Sequence, residues 1–277
     1  MKTRYLAIIA VLVASLADAQ TRRPSHCIAI ADAAPGLEYL QKASWREPIE
    51  DRYALRISYI DHSIFMIQTP DGLDMVTDYT GFLGAVDFAP EVATMNNAHG
   101  SHWTASPDRR ITHVLEGWKH VGGEPAEHHL ELGEVLIRNV TTDIRGDYGS
   151  ARIEDNNSIF VFEAAGLCIA HLGHLHHEPT EEQYAALGRI DVLMAAVDGG
   201  LTVDLPTMIR IVERLKSSII LPMHWWSRGS LDRFTSALGA DFDVVREGET
   251  SMEVSLRTLP KRPTVVVLEP RFLTSDD

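Results

Sequence analysis

The sequence predicts a mixed α/β domain, and three observations carry that reading. At 277 residues and 45% apolar content, the chain can bury a large core within one domain of this kind. Its second half alternates short apolar β-type runs with helical ones, the pattern of strands connected through helices. Those strands end in polar residues, His171 and His174, then Asp198, then His224, and open α/β sheets place ligands at strand ends.

The first residues read as a targeting segment. Met1-Lys-Thr-Arg4 is a basic start, Tyr5 to Leu16 is an apolar run, and Ala17-Asp-Ala19 is a small-x-small cleavage site. The apolar run is about a dozen residues, short of the roughly 20 that a spanning helix needs. Cleavage before Gln20 and delivery to the periplasm or the medium are expected, with no membrane association afterwards. The chain then divides into a signal peptide over 1–19, an N-terminal arm over 20–52, the main domain over 53–272 and a tail over 273–277. The arm carries Pro24, Pro35, Gly36 and Pro48, with one short amphipathic segment around Leu37 to Ala43. A net charge of -14 repels phosphate backbones, which argues against a nucleic-acid partner and leaves a small-molecule substrate. Cys27 and Cys168 allow one disulfide at most. Because Cys168 lies inside an apolar strand pattern, two unpaired thiols are expected.

In chain order, Tyr53 to Ile60, Ile64 to Thr69 and Leu73 to Thr77 are β-type runs, the last two joined by an Asp71-Gly72 turn. Asp78 follows at the strand end. Thr80 to Pro90 reads as a flap over a pocket, with Phe82 and Leu83 exposed. Val92 to Met95 is a buried strand that breaks at Asn96, Asn97 and Gly100, so that His99 and His102 share one face of a tight loop. Strands are expected at His113 to Trp118, Leu130 to Val140, Ser158 to Glu163 and Leu167 to Leu172, with loops over Thr104 to Arg110 and Thr141 to Asn157. Then come helix Pro179 to Leu187, strand Asp191 to Val197, helix Asp204 to Lys216, strand Ser218 to Met223, helix Ser230 to Leu238 and a last strand Thr264 to Leu268.

Imidazoles converging from such strand ends suit zinc or another divalent transition metal. His99, His102, His174 and His224 are the candidate ligands. His171 lies within a strand pattern and reads as a core or supporting imidazole, and His62, in Asp61-His-Ser63, as an orienting one. His176 and His177 read as solvated.

These residues together resemble the metallo-β-lactamase superfamily, and within it the branch of ascorbate-6-phosphate lactonase-like proteins. The resemblance runs from about Arg56 to Leu238. Its anchors are Tyr59-Ile-Asp-His-Ser-Ile-Phe65, Asp78, Asn156-Asn-Ser-Ile-Phe-Val-Phe162, Gly166-Leu-Cys-Ile-Ala-His-Leu-Gly173, Asp191-Val-Leu-Met194, Gly199-Gly200 with Thr202, and Leu221-Pro-Met-His224. It implies a four-layer αββα sandwich with the site at the edge between the two sheets. The departures bear on the metal. Where the family has His-x-His-x-Asp-His, this chain reads Asn97-Ala-His99-Gly-Ser101-His102; His174 stands for the bridging aspartate, and Thr141, Thr142 and Asp143 replace a mid-chain histidine. One metal position keeps only His99, flanked by Asn97 and Thr142. The other keeps His102 and His224 and gains His174, and three neutral imidazoles with an open position are a catalytic zinc pattern.

One divalent transition metal per chain, with zinc as the first choice, is therefore expected. Loss of two carboxylates is expected to make the site more positive and to favour an anionic substrate. Asp143 and Asp198 are the candidate catalytic carboxylates, Asp198 either as a general base or as an orienting partner of a ligating imidazole. Trp103, Trp225, Trp226 and Phe82 would shape the pocket. The expected function is hydrolysis of a small ester, lactone or phosphoester through metal-bound hydroxide. A non-catalytic periplasmic metal- or ligand-binding protein is the alternative, and a three-histidine iron or copper oxygenase a third reading. Protein recovered after export should begin at Gln20; an intact mass that still includes Met1 would contradict this.

Overall fold

The computed structural model describes residues 22–29, 44–146 and 151–275. The expected cleavage site and the Leu37 to Ala43 segment lie outside the described residues. Two sheets form the molecule. The first holds β1 (Leu55–Asp61), β2 (Ile64–Gln68), β3 (Asp74–Val76), β4 (Val92–Met95) and β5 (His113–Glu116) in chain order, with β13 (Ser251–Val254) beside β1. The second contains β6 (His129–Leu132), β7 (Val135–Arg145), β8 (Arg152–Ala164), β9 (Leu167–His171), β10 (Val192–Ala196), β11 (Ile219–Met223), β12 (Asp243–Val245) and β14 (Thr264–Val266). Its order across the sheet is β12-β14-β11-β10-β9-β8-β7-β6. The four helices among the described residues are α1 (His26–Ala29), α2 (Glu181–Leu187), α3 (Leu205–Leu215) and α4 (Arg228–Ala237). None is long and apolar enough to cross a membrane.

Period-two alternation places the core. On β1 and β2, Leu55, Ile57, Tyr59, Phe65 and Ile67 point between the sheets, while Ile60, Ile64 and Met66 face the other way. Tyr59 stacks on its cross-strand partner Phe65 at 4.6 Å between ring centroids. The inner face meets Phe160 and Phe162 of β8 and Met194 of β10, all fully buried. On the far face of the second sheet, α2, α3 and α4 bury Leu187, Met208, Ile211, Leu231 and Phe234. A capping box starts α2: Thr180 accepts from the Gln183 backbone N–H, and the Gln183 side chain accepts from the Thr180 backbone N–H.

The outer face of the first sheet is covered by loops among the described residues. Leu83, Val86, Phe88, Trp103, Ile111 and Trp118 pack there against Ile64 and Met66. The expected flap over Thr80 to Pro90 is part of this layer: Leu83 is buried, and Phe82 packs on Phe272 rather than over a pocket. Leu273 is also buried and donates its N–H to the Leu83 carbonyl.

Three local expectations are corrected. The loop expected over Thr141 to Asn157 is instead the far half of a long β7–β8 hairpin, with Thr141 opposite Ser158 and Thr142 opposite Asn157. Polar side-chain bonds hold that part, Thr141 Oγ1 to Asp155 Oδ1 at 2.8 Å and Asn157 Nδ2 to Thr142 Oγ1 at 2.8 Å, so its strands lack the apolar alternation that marks a strand in sequence. The single run Leu130 to Val140 is divided by Gly133, whose φ of +57° turns β6 into β7. Strands β12 and β13 were not expected; β12 is a short, mostly exposed edge strand beside β14, and β13 pairs with β1.

The cysteines are also corrected, since Cys27 and Cys168 are joined in a disulfide. Cys168 is buried on β9, as its apolar surroundings imply, but α1 lays Cys27 against it. Glu163 directs this docking, accepting from Ser25 Oγ and from the His26 backbone N–H while paired with Arg138 at 2.8 Å. The covalent link closes 141 residues, and loops of that length lose most entropy when cross-linked in the unfolded chain. Denatured, unreduced protein should show no thiol reactive to Ellman's reagent. A Cys27→Ala, Cys168→Ala variant should lose about 2–5 kcal/mol in denaturant unfolding; two free thiols in the parent would refute the pairing.

Candidate metal centre

Five imidazoles from four loops meet at one rim of the sandwich. His62 comes from the β1–β2 turn, His99 and His102 from the loop after β4, His174 from the segment after β9, and His224 from the end of β11. The nitrogens of His62, His102 and His224 lie within 4.8 Å of one another, and so do those of His99, His102 and His174. The expected trio of His102, His174 and His224 is thus divided between two groups that share His102.

His102 is fully buried, and its Nδ1 is bonded to Asp78 Oδ2, with Ser63 Oγ at 3.2 Å. Asp78 accepts from the Asn96 backbone N–H at 3.0 Å through its other oxygen. Burial raises the Asp78 pKa to about 6, against the opposing pull of His171 and the Asn96 N–H. With Nδ1 occupied, His102 turns Nε2 inward, 3.3 Å from His224 Nε2 and 2.8 Å from His174 Nδ1.

His224 is positioned in the same manner. Its backbone N–H donates to the His62 carbonyl at 2.8 Å, and Tyr59 Oη donates to that carbonyl at 2.6 Å. Its Nδ1 stands 2.9 Å from Asp198 Oδ2. Asp198 accepts from the backbone N–H groups of Gly200, Leu201 and Thr202 at 2.8, 2.6 and 3.1 Å, and from Thr202 Oγ1 at 2.7 Å. Burial alone would raise its pKa, but His224, Thr202 and these amides outweigh it and hold the carboxyl well below its usual range.

His174 reaches His102 because two chain segments nearly touch. Gly173 has φ of +61°, and a Cβ there would lie 2.1 Å from Asn96 Nδ2. Only glycine admits that approach. The His174 N–H donates to Asn157 Oδ1 at 3.2 Å, and Asn157 is in turn tied to Thr142. His62, Asp78 and His224 all hold positive φ, of 41°, 43° and 59°, and strain of this kind collects where surrounding contacts serve a site.

Burial, with the neighbouring imidazoles, pushes His62 to about 3 and His174 to about 2, and His102 well below its usual value. These rings are neutral, the form that binds a metal. The donor set fits one. Buried His62 Nε2 has no hydrogen-bond partner, and Asp78 and Asp198 fix the orientation of His102 and His224 from behind. The 3.3 Å between His102 Nε2 and His224 Nε2 equals one edge of a tetrahedron with Zn–N bonds of about 2.0–2.1 Å. The two trios share a single His102 lone pair, so only one of them can be filled at a time.

The other expected residues are placed as follows. His171 donates from Nε2 to the Ser63 carbonyl at 2.8 Å and accepts the Gly173 N–H at Nδ1, so both its nitrogens are used within the wall. His99 is exposed and stacks on His174, with its Nδ1 3.3 Å from Ser101 Oγ. Asn97 donates to the Asn156 carbonyl. Asp143 does not join the imidazoles: Arg152 Nε lies 2.6 Å from one of its oxygens and the Asp155 N–H donates to the other, because the hairpin turns this part of β7 toward Arg152. Trp103 packs on Trp118 in the loop layer instead of lining the pocket. His176, read as solvated, is half-buried; it accepts the Arg145 N–H at Nδ1 and its ring lies 4.7 Å from His174. Half-buried His177 also has a buried Nε2 without a partner. Of the two carboxylates lost, Asp198 beside His224 returns one negative charge, while Asp78 behind His102 is part of the resemblance and offsets nothing.

Beside His62 a cleft of about 380 Å³ opens between Trp225, Trp226, Ser101 and Asp61. Titration with zinc should give one tightly bound ion per chain. Asp78→Asn and Asp198→Asn should each weaken it by roughly 10–100-fold. His174→Ala should abolish stoichiometric binding if His174 completes the trio, and parent-like affinity would refute that role, provided circular dichroism shows the variant folded.

A family model described as a Beta-lactamase superfamily domain matches residues 56–224. Comparison with curated proteins gives no match. Among solved structures, the chain is similar to a metallo-beta-lactamase superfamily protein from Thermotoga maritima assigned as a Zn-dependent hydrolase, with 24% identity and a TM-score of 0.57 over 78% of this chain and 100% of that one. It is also similar to Igni18, a metallo hydrolase from Ignicoccus hospitalis, with 16% identity and a TM-score of 0.53 over 73% of this chain and 99% of that one. These likenesses show the shared sandwich of two large sheets. With the family model spanning more than half of its length, the chain belongs to the beta-lactamase superfamily and has the metallo-beta-lactamase fold.

Proposed function

We propose that this protein is an exported metal-dependent hydrolase of a small ester, lactone or phosphoester, using one divalent transition metal, zinc by its donor set. One observation carries the reading: His102 and His224, each backed by a buried carboxylate, converge with Nε2 atoms 3.3 Å apart, and His174 Nδ1 stands 2.8 Å from the first. Membership of a superfamily of metallo-hydrolases supports the reaction class. The apolar start with its small-x-small site supports export, as does the buried disulfide, because such bonds persist in oxidising compartments.

Held by His102 with either the pair His62 and His224 or the pair His99 and His174, such a metal would supply Lewis acidity and lower the pKa of water toward neutral. The chain's own residues do the positioning. Asp78 Oδ2, bonded to His102 Nδ1, and Asp198 Oδ2, 2.9 Å from His224 Nδ1, stand behind the two rings, whose Nε2 atoms turn inward. Asp198 already accepts four hydrogen bonds and is a weak base, so it orients rather than takes up a proton. Where His99, His102 and His174 hold the metal, His62 Nε2, which no hydrogen bond within the protein uses, is left to accept from water or substrate at the cleft wall.

A second reading, a binding protein without turnover, is favoured by one observation. Asp143, the second candidate carboxylate, is paired with Arg152, away from the imidazoles. Aryl esters, lactones and phosphoesters offered to zinc-loaded protein separate the two. Hydrolysis should stop on chelation and return with zinc, and Asp198→Asn should lower kcat roughly tenfold or more. Stoichiometric zinc without turnover of any of the three classes would establish the second reading.

A further inference from the structure

We infer that the cleft beside the imidazoles recognises an organic ammonium group on the substrate. The inference rests on the hydrolase reading for the place of the scissile bond, and on the cleft alone for the chemistry of the tail. Trp226 is 70% exposed at the cleft, its ring 4.5 Å from His62 and 6.2 Å from His224. Trp225 lines the cleft beside it. Asp61, at the end of β1 and next to His62, brings a half-buried carboxylate to the same space. No Lys or Arg lines it among the described residues, and Arg228, two residues beyond Trp226, is paired with Glu269 at 2.9 Å.

The three kinds of substrate tail fare differently here. An anionic tail would meet the Asp61 charge and aromatic faces whose quadrupole is negative, with no cation in the lining to compensate. A neutral apolar tail would cover Trp226 but strip water from Asp61 and return nothing. An ammonium group satisfies both neighbours, lying against the indole face while Asp61 balances its charge. The chain's net charge of -14 raises the local concentration of such cations. The 6.2 Å from Trp226 to His224 leaves room for a short linker between ammonium and scissile bond.

Choline and its neutral carbon isostere, 3,3-dimethylbutan-1-ol, test this by calorimetric titration of the zinc-loaded protein. Choline should bind at least about tenfold more tightly than the isostere. Asp61→Asn should remove most of that preference, and Trp226→Leu, at an exposed position, should weaken choline about fivefold. Equal binding of the two probes, no binding of choline, or a preference that survives Asp61→Asn overturns the inference. Acetylcholine and 3,3-dimethylbutyl acetate then separate it from the reading beneath it. Preferential choline binding by protein that turns over neither these esters nor any of the three substrate classes above leaves the ammonium site standing and removes the hydrolase; hydrolysis of both esters at equal rates does the reverse.

Discussion

The buried pair of Asp78 and His102 organises the whole rim. A carboxylate with no exposure to water is costly unless every lone pair is used, and Asp78 uses one oxygen on the Asn96 N–H and the other on His102. Those two bonds connect the segment after β3 to Asn96, at the start of the loop after β4, and to His102 within it. Ser63, contributed by the β1–β2 turn, reaches the same His102 nitrogen and so brings His62 beside it. The loop is therefore fixed by polar bonds to a buried charge, and the inward direction of His102 Nε2 follows from them.

A second constraint comes from the seam between the sheets. Asn96 donates to the Ser158 carbonyl of β8, and Ser158 donates its N–H to the Asn96 carbonyl, so the β4 loop of one sheet is bonded to the middle of the other. Gly173 passes directly over this contact, and the absence of a side chain there sets His174 next to His102. The site is thus a product of two sheets meeting, and its nitrogens come from segments far apart in the chain. Of the six non-glycine residues with positive φ among those described, three, His62, Asp78 and His224, lie at this junction.

Much of the frame was legible beforehand because apolar periodicity reports burial directly. Strands such as Val92–Met95 and Ile219–Met223 and the helix Leu205–Leu215 are found within a residue or two of their expected limits. The β7–β8 hairpin was not, because its outer half is held by threonine, aspartate and asparagine side chains, which in sequence look like a loop. The same blindness applies to Asp143 and Trp103. A carboxylate's role depends on which cation the fold sets beside it, and an indole's on which layer it enters.

By itself the sequence determined the mixed α/β class and the strand ends that deliver histidines, since each is a property of residue type and spacing along the chain; the loss of the motif's first histidine and aspartate was legible only against the family it resembles. Tertiary structure alone decided which nitrogens converge. It divided the imidazoles into two trios sharing one lone pair, paired Asp198 with His224, turned His62 toward the cleft, and joined Cys27 to Cys168. The physical reason is distance: apart from the neighbours His99 and His102, these contacts span from 26 to 162 residues of chain, and the side-chain directions that bring the groups to bonding range are set by how two twisted sheets and their loops pack, which no local pattern encodes.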